Sequence, residues 1–235
     1  MKLLLFDTAT ENCSAGLYCD GQFSFREQEL AGGHGAQLLP MVDDLLAEAQ
    51  LSLGRLDAIA FGRGPGGFTG VRLAASVAQG LAFGAGLPVL PVSNLLAVAQ
   101  IVLDAEQAVQ QVLVCNDARM GEVYSGLFAR GTAGLATPRG VEAVQAPQSV
   151  QLPIAPPPGA SKPCAVVGAG RGFRAYPQLR AHLASRLVSV QDGLLPSVRG
   201  MLPKALTDWS AGLALPATGA QPVYLRDNVA RPSVT

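Results

Sequence analysis

Lys2-Leu3-Leu4-Leu5-Phe6-Asp7-Thr8-Ala9-Thr10, followed at once by the apolar run Cys13 to Cys19, reads as a strand, a polar turn and a second strand. The arrangement returns later in the chain. Gln111 to Cys115 is again an apolar strand, Asp117 an acid at its end, and Glu122 to Ala129 the strand beyond the turn. A pattern used twice predicts two related halves, each opening strand, acidic turn, strand. Asp20-Gly21 marks a tight turn into Gln22 to Glu27, so the first half begins as a meander.

Working outward, Gly32-Gly33-His34-Gly35 breaks the strand pattern before a helix over roughly Ala36 to Gln50. Its apolar positions, from Leu38, Met41 and Leu45 to Ala49, sweep an arc of roughly 160°, wider than the ~100° that one core contact requires. Part of that arc is therefore free to face another chain. Leu56 to Phe61 is a short strand, and Gly62 to Gly70 is a glycine-rich loop leading into a helix from Thr69, a suitable cap, to Phe83. Apart from Arg72 this second helix is uncharged, which predicts burial on all sides. Pro88 to Val92 is a strand, Ser93 caps a helix to about Leu103, and Asp104-Ala105-Glu106 divides an N-terminal unit, 1–104, from a C-terminal one, 105–235. Gly131 to Pro163 reads as loop with one strand near Val141 to Val144. Cys164 to Val167 is a strand, Phe173 to Leu187 a helix, and Pro196 opens a last helix to about Leu213. The fold class is α/β.

Composition narrows the function. Of 235 residues, 49% are hydrophobic and 14% charged, which excludes a disordered regulator. Lys and Arg number 17 and so do Asp and Glu. Because phosphate contacts supply nearly all non-specific nucleic-acid affinity, a chain with no basic excess reaches RNA only through a partner. Cys13, Cys19, Cys115 and Cys164 are widely spaced and fit reduced thiols of a cytoplasmic protein. The stretch from Arg72 to Asp104 lacks charge, but Gly84, Gly86, Pro88 and Pro91 cut it into pieces too short for a membrane span. The apolar start ends at Asp7 and is too short for an export signal.

Three stretches could carry chemistry. Asp7, Thr8 and Thr10 could present hydroxyls to a phosphate and a carboxylate to a metal-bound water, or could simply close a hairpin as an Asx or ST turn. At the second turn Ala118, Arg119 and Met120 obstruct the close backbone approach that phosphate needs. Gly64-Pro65-Gly66-Gly67-Phe68-Thr69-Gly70-Val71-Arg72 could cradle an anion at a helix N-terminus, or could be a structural loop whose glycines admit close packing. It lacks the Lys-Ser/Thr ending of a P-loop. His34 has Leu38, not a second histidine, one turn onward.

Together, His34 to Val42, Gly64 to Arg72, Asp117 to Tyr124 and the tail Pro222-Val223-Tyr224-Leu225-Arg226 resemble the bacterial TsaB (YeaZ) family. The likeness is dense over residues 3–125 and thin over 130–220. It implies a two-domain fold of the actin, sugar-kinase and Hsp70 type, each half a mixed sheet flanked by helices. It also implies a place in the machinery that installs N6-threonylcarbamoyl on adenosine 37 of tRNAs reading codons that begin with A. There a TsaD-type catalytic subunit performs the transfer and holds a metal through an H-x-x-x-H pair, while a TsaE-type ATPase joins the complex.

For this chain the resemblance implies a non-catalytic activating scaffold that needs no metal or cofactor, pairs with itself when alone and meets tRNA only within the complex. His34 aligns with the first metal ligand of the catalytic relative and Leu38 replaces the second. Asp7, Thr8, Thr10 and Asp117 would be a vestigial nucleotide cradle. Gly64, Gly66, Gly67, Thr69 and Arg72 form the family loop, and the pairing role falls to Leu38, Met41, Leu45, Val71, Ala75 and Ala78. The competing reading is an ATP-dependent kinase or phosphotransferase of the same superfamily. A metallopeptidase fails for want of ligands.

Overall fold

The computed structural model describes residues 1–153 and 165–226, so Cys164 and most of the Pro-rich segment lie outside the described residues. Five strands of the first half, β1 (Lys2–Asp7), β2 (Asn12–Cys19), β3 (Gln22–Glu29), β4 (Ala58–Gly64) and β5 (Val89–Ser93), form a sheet in the order β3-β2-β1-β4-β5. The pairs β1/β2 and β2/β3 are antiparallel, and β1/β4 and β4/β5 are parallel. The second half has β6 (Gln111–Asp117), β7 (Val123–Arg130), β8 (Ala136–Pro138), β9 (Ala143–Gln145), β10 (Val166–Ala169) and β11 (Leu187–Gln191). Its main path, β8-β7-β6-β10-β11, repeats the order of the first sheet. Again the first two pairs are antiparallel and the last two parallel, and β9 adds to β7. The repeated strand, acidic turn, strand is thus the start of one topology used twice, a pair of mixed sheets of the same strand order.

Side-chain alternation along the strands sets the layers. Leu4 and Phe6 of β1 pack with α1 (His34–Glu48) and α2 (Phe68–Ala85), while Leu3 and Leu5 face the opposite way, toward α3 (Asn94–Ala105) and α6 (Val198–Ser210). Val112 and Val114 of β6 join that same central core from the second sheet. Leu113 and Cys115 point outward to α4 (Gly172–Ala175) and α5 (Pro177–Leu183). The result is an α/β/α/β/α stack with α3 in its middle. Leu95, Ala97, Val98, Ala99, Val102 and Leu103 of α3 are all fully buried. Ser93 caps it, accepting from Leu96 N at 3.2 Å. Across from it, a Cβ at Gly200 of α6 would lie 2.0 Å from Ala97 O, so glycine is what lets these two helices cross so closely.

Several expectations are corrected. The helix buried on all sides is α3, not α2: Phe68, Thr69, Arg72, Ser76, Gly80, Phe83 and Gly84 of α2 are exposed. Thr69 lies inside α2, whose N-cap is Gly67 without a side-chain cap. The expected helix from Phe173 to Leu187 is broken by Pro177, which forces Tyr176 out of helical geometry (φ −128°, ψ 86°), and its end gives way to strand β11. The last helix starts at Val198 behind a Ser197 cap; Pro196 precedes the cap and uses its carbonyl to accept from Asn12 Nδ2 at 2.9 Å. Two short strands, β8 and β9, occupy the stretch given one strand. Among the described residues no helix is long and apolar enough to cross a membrane.

The pairing positions are corrected too. Leu38, Leu45, Val71, Ala75 and Ala78 are at most 3% exposed and belong to the chain's own core, with Met41 packed against it. A side chain so covered offers no area to a partner. Ala78→Glu is therefore expected to unfold the isolated chain, since an unpaired buried charge costs at least about 3 kcal/mol, whereas Ser76→Glu on the exposed face leaves it folded. Circular dichroism with size-exclusion chromatography checks this; a folded Ala78→Glu chain would refute the core assignment.

Candidate functional site

The turn after β1 and the turn after β6 face one another across a cleft of about 1200 Å³ between the two sheets. Thr8, Thr10, Gly66, Gly67, Thr69, Arg72 and Asp117 all line it, so the structure gathers most of the sequence motifs into one place. Asp7 and Gly64 sit below it at strand ends; of the six residues assigned to pairing, Leu38, Leu45, Ala75 and Ala78 lie apart in the core behind the first sheet, Met41 packs against that core, and Val71 is buried beside Gly64.

Asp7 is the most constrained of these residues. Fully buried, its Oδ1 accepts from Asn94 Nδ2 at 2.7 Å and from Ala9 N at 3.2 Å, which is an Asx turn. Asn94 completes the junction by accepting from Gly64 N at 2.7 Å. On the neighbouring strand only glycine fits, because a Cβ at Gly62 would stand 2.0 Å from Asp7 Oδ1. Oδ2 is buried without a partner, and burial pushes the carboxyl up to about 6. The carboxylate thus faces the protein interior and does not line the cleft.

Of the two threonines Thr8 is spoken for: its Oγ1 donates to Gly70 O at 2.7 Å, while Thr10 Oγ1 only accepts a longer bond from Asn12 N at 3.4 Å. The glycine loop lies directly on this turn, with Gly67 N donating to Ala9 O at 2.7 Å. A Cβ at Gly66 would come 2.5 Å from Ala9 O and one at Gly70 2.0 Å from Thr8 O. Of the two readings of the loop, the packing one accounts for these glycines: they admit the chain's own backbone. The Arg72 guanidinium lies 3.4 Å from the Phe68 ring centroid and its Nε donates to Tyr224 Oη at 2.6 Å.

At the second turn Asp117 Oδ1 accepts from Tyr176 Oη and from Arg119 N, each at 2.8 Å, and Oδ2 pairs with Arg119 Nη1 at 3.0 Å. Arg119, Met120 and Gly121 all have left-handed backbone, with φ of 61°, 55° and 80°. From there Arg119 Nη2 reaches across the cleft to Glu11 Oε1 at 2.8 Å. Sequence reading identified the crowding but missed Tyr176 and Asn94, and gave no role to Tyr124, the end of a family stretch, whose hydroxyl donates to Gly66 O at 3.3 Å. A lone tyrosine and an asparagine outside any motif leave no local signal; only the fold brings them to the turns.

The metal implied by the catalytic relatives does not fit. His34 begins α1 with Nε2 buried and unpartnered, but the position one turn on is Leu38, fully buried in the core. Among the described residues no three His, Cys, Asp or Glu side chains gather in a metal-binding group.

A family model described as TsaD, tRNA N6-adenosine threonylcarbamoyltransferase, matches residues 28–231. The tRNA threonylcarbamoyladenosine biosynthesis protein TsaB of Escherichia coli K12 is 40% identical over 98% of this chain and 96% of its own length. That of Haemophilus influenzae is 37% identical over 97% and 95%. Among solved structures, YeaZ from Pseudomonas aeruginosa superposes with a TM-score of 0.82 at 39% identity, covering 95% of this chain and 99% of that one. A P. aeruginosa structure described as an uncharacterized protein with similarity to peptidase YEAZ gives 0.84 at 40%, covering 96% and 99%.

Asp7 supplies a pH test. Its carboxyl titrates near 6 when folded against 3.8 when free, so the folded state holds the proton more tightly. Its contribution favours the fold most below pH 4 and declines as pH rises through 6, by about 3 kcal/mol in all. Urea denaturation from pH 4 to 7.5 should show Asp7→Asn gaining stability relative to the parent as pH rises. A parent that gains on the variant over that range would contradict the burial.

Proposed function

Since the chain belongs to the TsaB (YeaZ) family, we propose that it serves the formation of N6-threonylcarbamoyladenosine in tRNA as a non-catalytic activating subunit. One observation carries this reading: the Thr8 hydroxyl and both Asp117 carboxylate oxygens are already bonded within the chain, and the Asp7 carboxylate is turned into the interior. Phosphate or an activated water would have to displace several contacts at once. The kinase reading, which needs these same groups free, is not favoured.

The exposed face of α2 supports an activating role through contact. Arg72, Ser76, Gly80 and Gly84 recur every fourth residue and lie in one row, with Phe83 80% exposed beside it. Glycine in a helix interior costs about 1 kcal/mol relative to alanine. Among the described residues nothing demands it at 80 or 84, since a Cβ at either would meet no atom within 4 Å. Glycines that serve no internal contact suit a helix approached closely from outside. On this proposal a TsaD-type catalytic subunit occupies the face, a second copy of the chain covers it otherwise, a TsaE-type ATPase completes the machinery, and tRNA is bound by the assembly.

Reconstitution tests this. The chain alone is expected to form no threonylcarbamoyladenosine, and adding it to the catalytic and ATPase subunits with tRNA, ATP, bicarbonate and threonine should restore the product. Ser76→Glu should abolish that restoration while the chain stays folded. Product from the isolated chain, or full restoration by the variant, would refute the proposal.

A further inference from the structure

The tail Pro222 to Arg226 crosses the rim of the cleft and is bonded on both sides. Toward the first sheet, Val223 N donates to Arg63 O at 2.7 Å, and Val223 O sits so close to Gly64 that a Cβ there would be 2.8 Å away. One residue on, Tyr224 accepts the Arg72 bond, with its ring centroid 6.1 Å from that of Phe68. Arg226 then enters the second turn: Nη2 donates to Ala118 O at 3.1 Å and pairs with the Glu122 carboxylate, and Nη1 lies 3.3 Å from Met120 Sδ. A short extended segment therefore ties the start of α2 to the turn between β6 and β7. Two further bonds cross between the halves here: Tyr124 Oη to Gly66 O is long at 3.3 Å, and Arg119 to Glu11 has an arginine side chain 72% exposed, whereas that of Arg226 is 16% exposed. Solvent screens the Arg119 pair far more than the Arg226 pair, so the tail is the stronger link.

We infer that this segment is a strap that sets how far the cleft opens, and that covering the exposed face of α2 tightens it. The second clause rests on the proposed docking of a partner there; the first does not. Its physical basis is the Phe68, Arg72, Tyr224 sandwich at the head of the exposed row, whose two rings are 49% and 45% exposed. Cation-π attraction strengthens as water is removed from it. A partner seated on α2 therefore binds best when Tyr224 is in place, and by linkage whatever loosens Tyr224 weakens the partner by the same factor.

Hydrogen exchange followed by mass spectrometry reads both clauses. In the isolated chain, Arg226→Ala should speed exchange about tenfold in peptides spanning Ala118 to Val123 and Thr8 to Glu11, with β1 and α3 unchanged. Unchanged turns would overturn the strap, and so would uniform acceleration, which reports general destabilisation. Tyr224→Phe keeps the ring and removes the hydroxyl, so it should speed the same turns by a smaller factor. Adding the catalytic subunit should slow exchange in both turns of the parent chain, and Arg226→Ala should bind that subunit more weakly. If the subunit binds and the turns do not slow, the coupling is wrong. If it does not bind at all, the docking proposal fails, while the strap stands or falls on the first arm alone.

Discussion

Everything at the cleft depends on how closely the glycine loop is pressed onto the turn after β1. Gly66 and Gly70 stand where any Cβ would penetrate the carbonyls of Ala9 and Thr8, and Gly67 N and Thr8 Oγ1 fasten the two segments with hydrogen bonds. Beneath them the fully buried Asp7, held by Asn94 and facing Gly62, joins the end of β1 to β4 and the start of α3. Loosening this contact would release the hydroxyls that the turn now keeps for itself.

The two halves solve one problem in different ways. Both begin with a strand, an acidic turn and a strand, and both sheets have the same order. The two turns face one another across the cleft. Here the first turn is filled by the chain's own glycine loop and the second by Tyr176, Arg119 and Arg226. What this chain retains from the shared architecture is a rigid pair of sheets and an outward-facing helix, which suits action through contact.

Much of the fold was legible because it rests on local periodicity. Apolar runs ending at Asp7 and Asp117 announced the duplicated topology, and Ser93 was readable as a cap because its hydroxyl and the apolar run behind it are neighbours in sequence. Misreadings arose where tertiary position outweighs composition. Helices α2 and α3 are both nearly uncharged, yet only α3 lies between two sheets, and no count of residues along one helix reveals how many layers cover it. Leu38, Val71 and Ala78, given a pairing role from the resemblance, are buried within the chain, and sequence alone could not separate core from interface on these helices. At the site, the glycine motif was visible and close packing was one of its two readings, but what it packs against was not, since that lies in the separation between Gly70 and Thr8, residues far apart in sequence.

Nucleotide binding would require the Thr8 and Asp117 groups to leave the partners they hold within the chain. Isothermal titration of the isolated chain with Mg-ATP addresses it directly. The account predicts no saturable heat up to millimolar nucleotide, and saturable micromolar binding that disappears in Thr8→Val would contradict it.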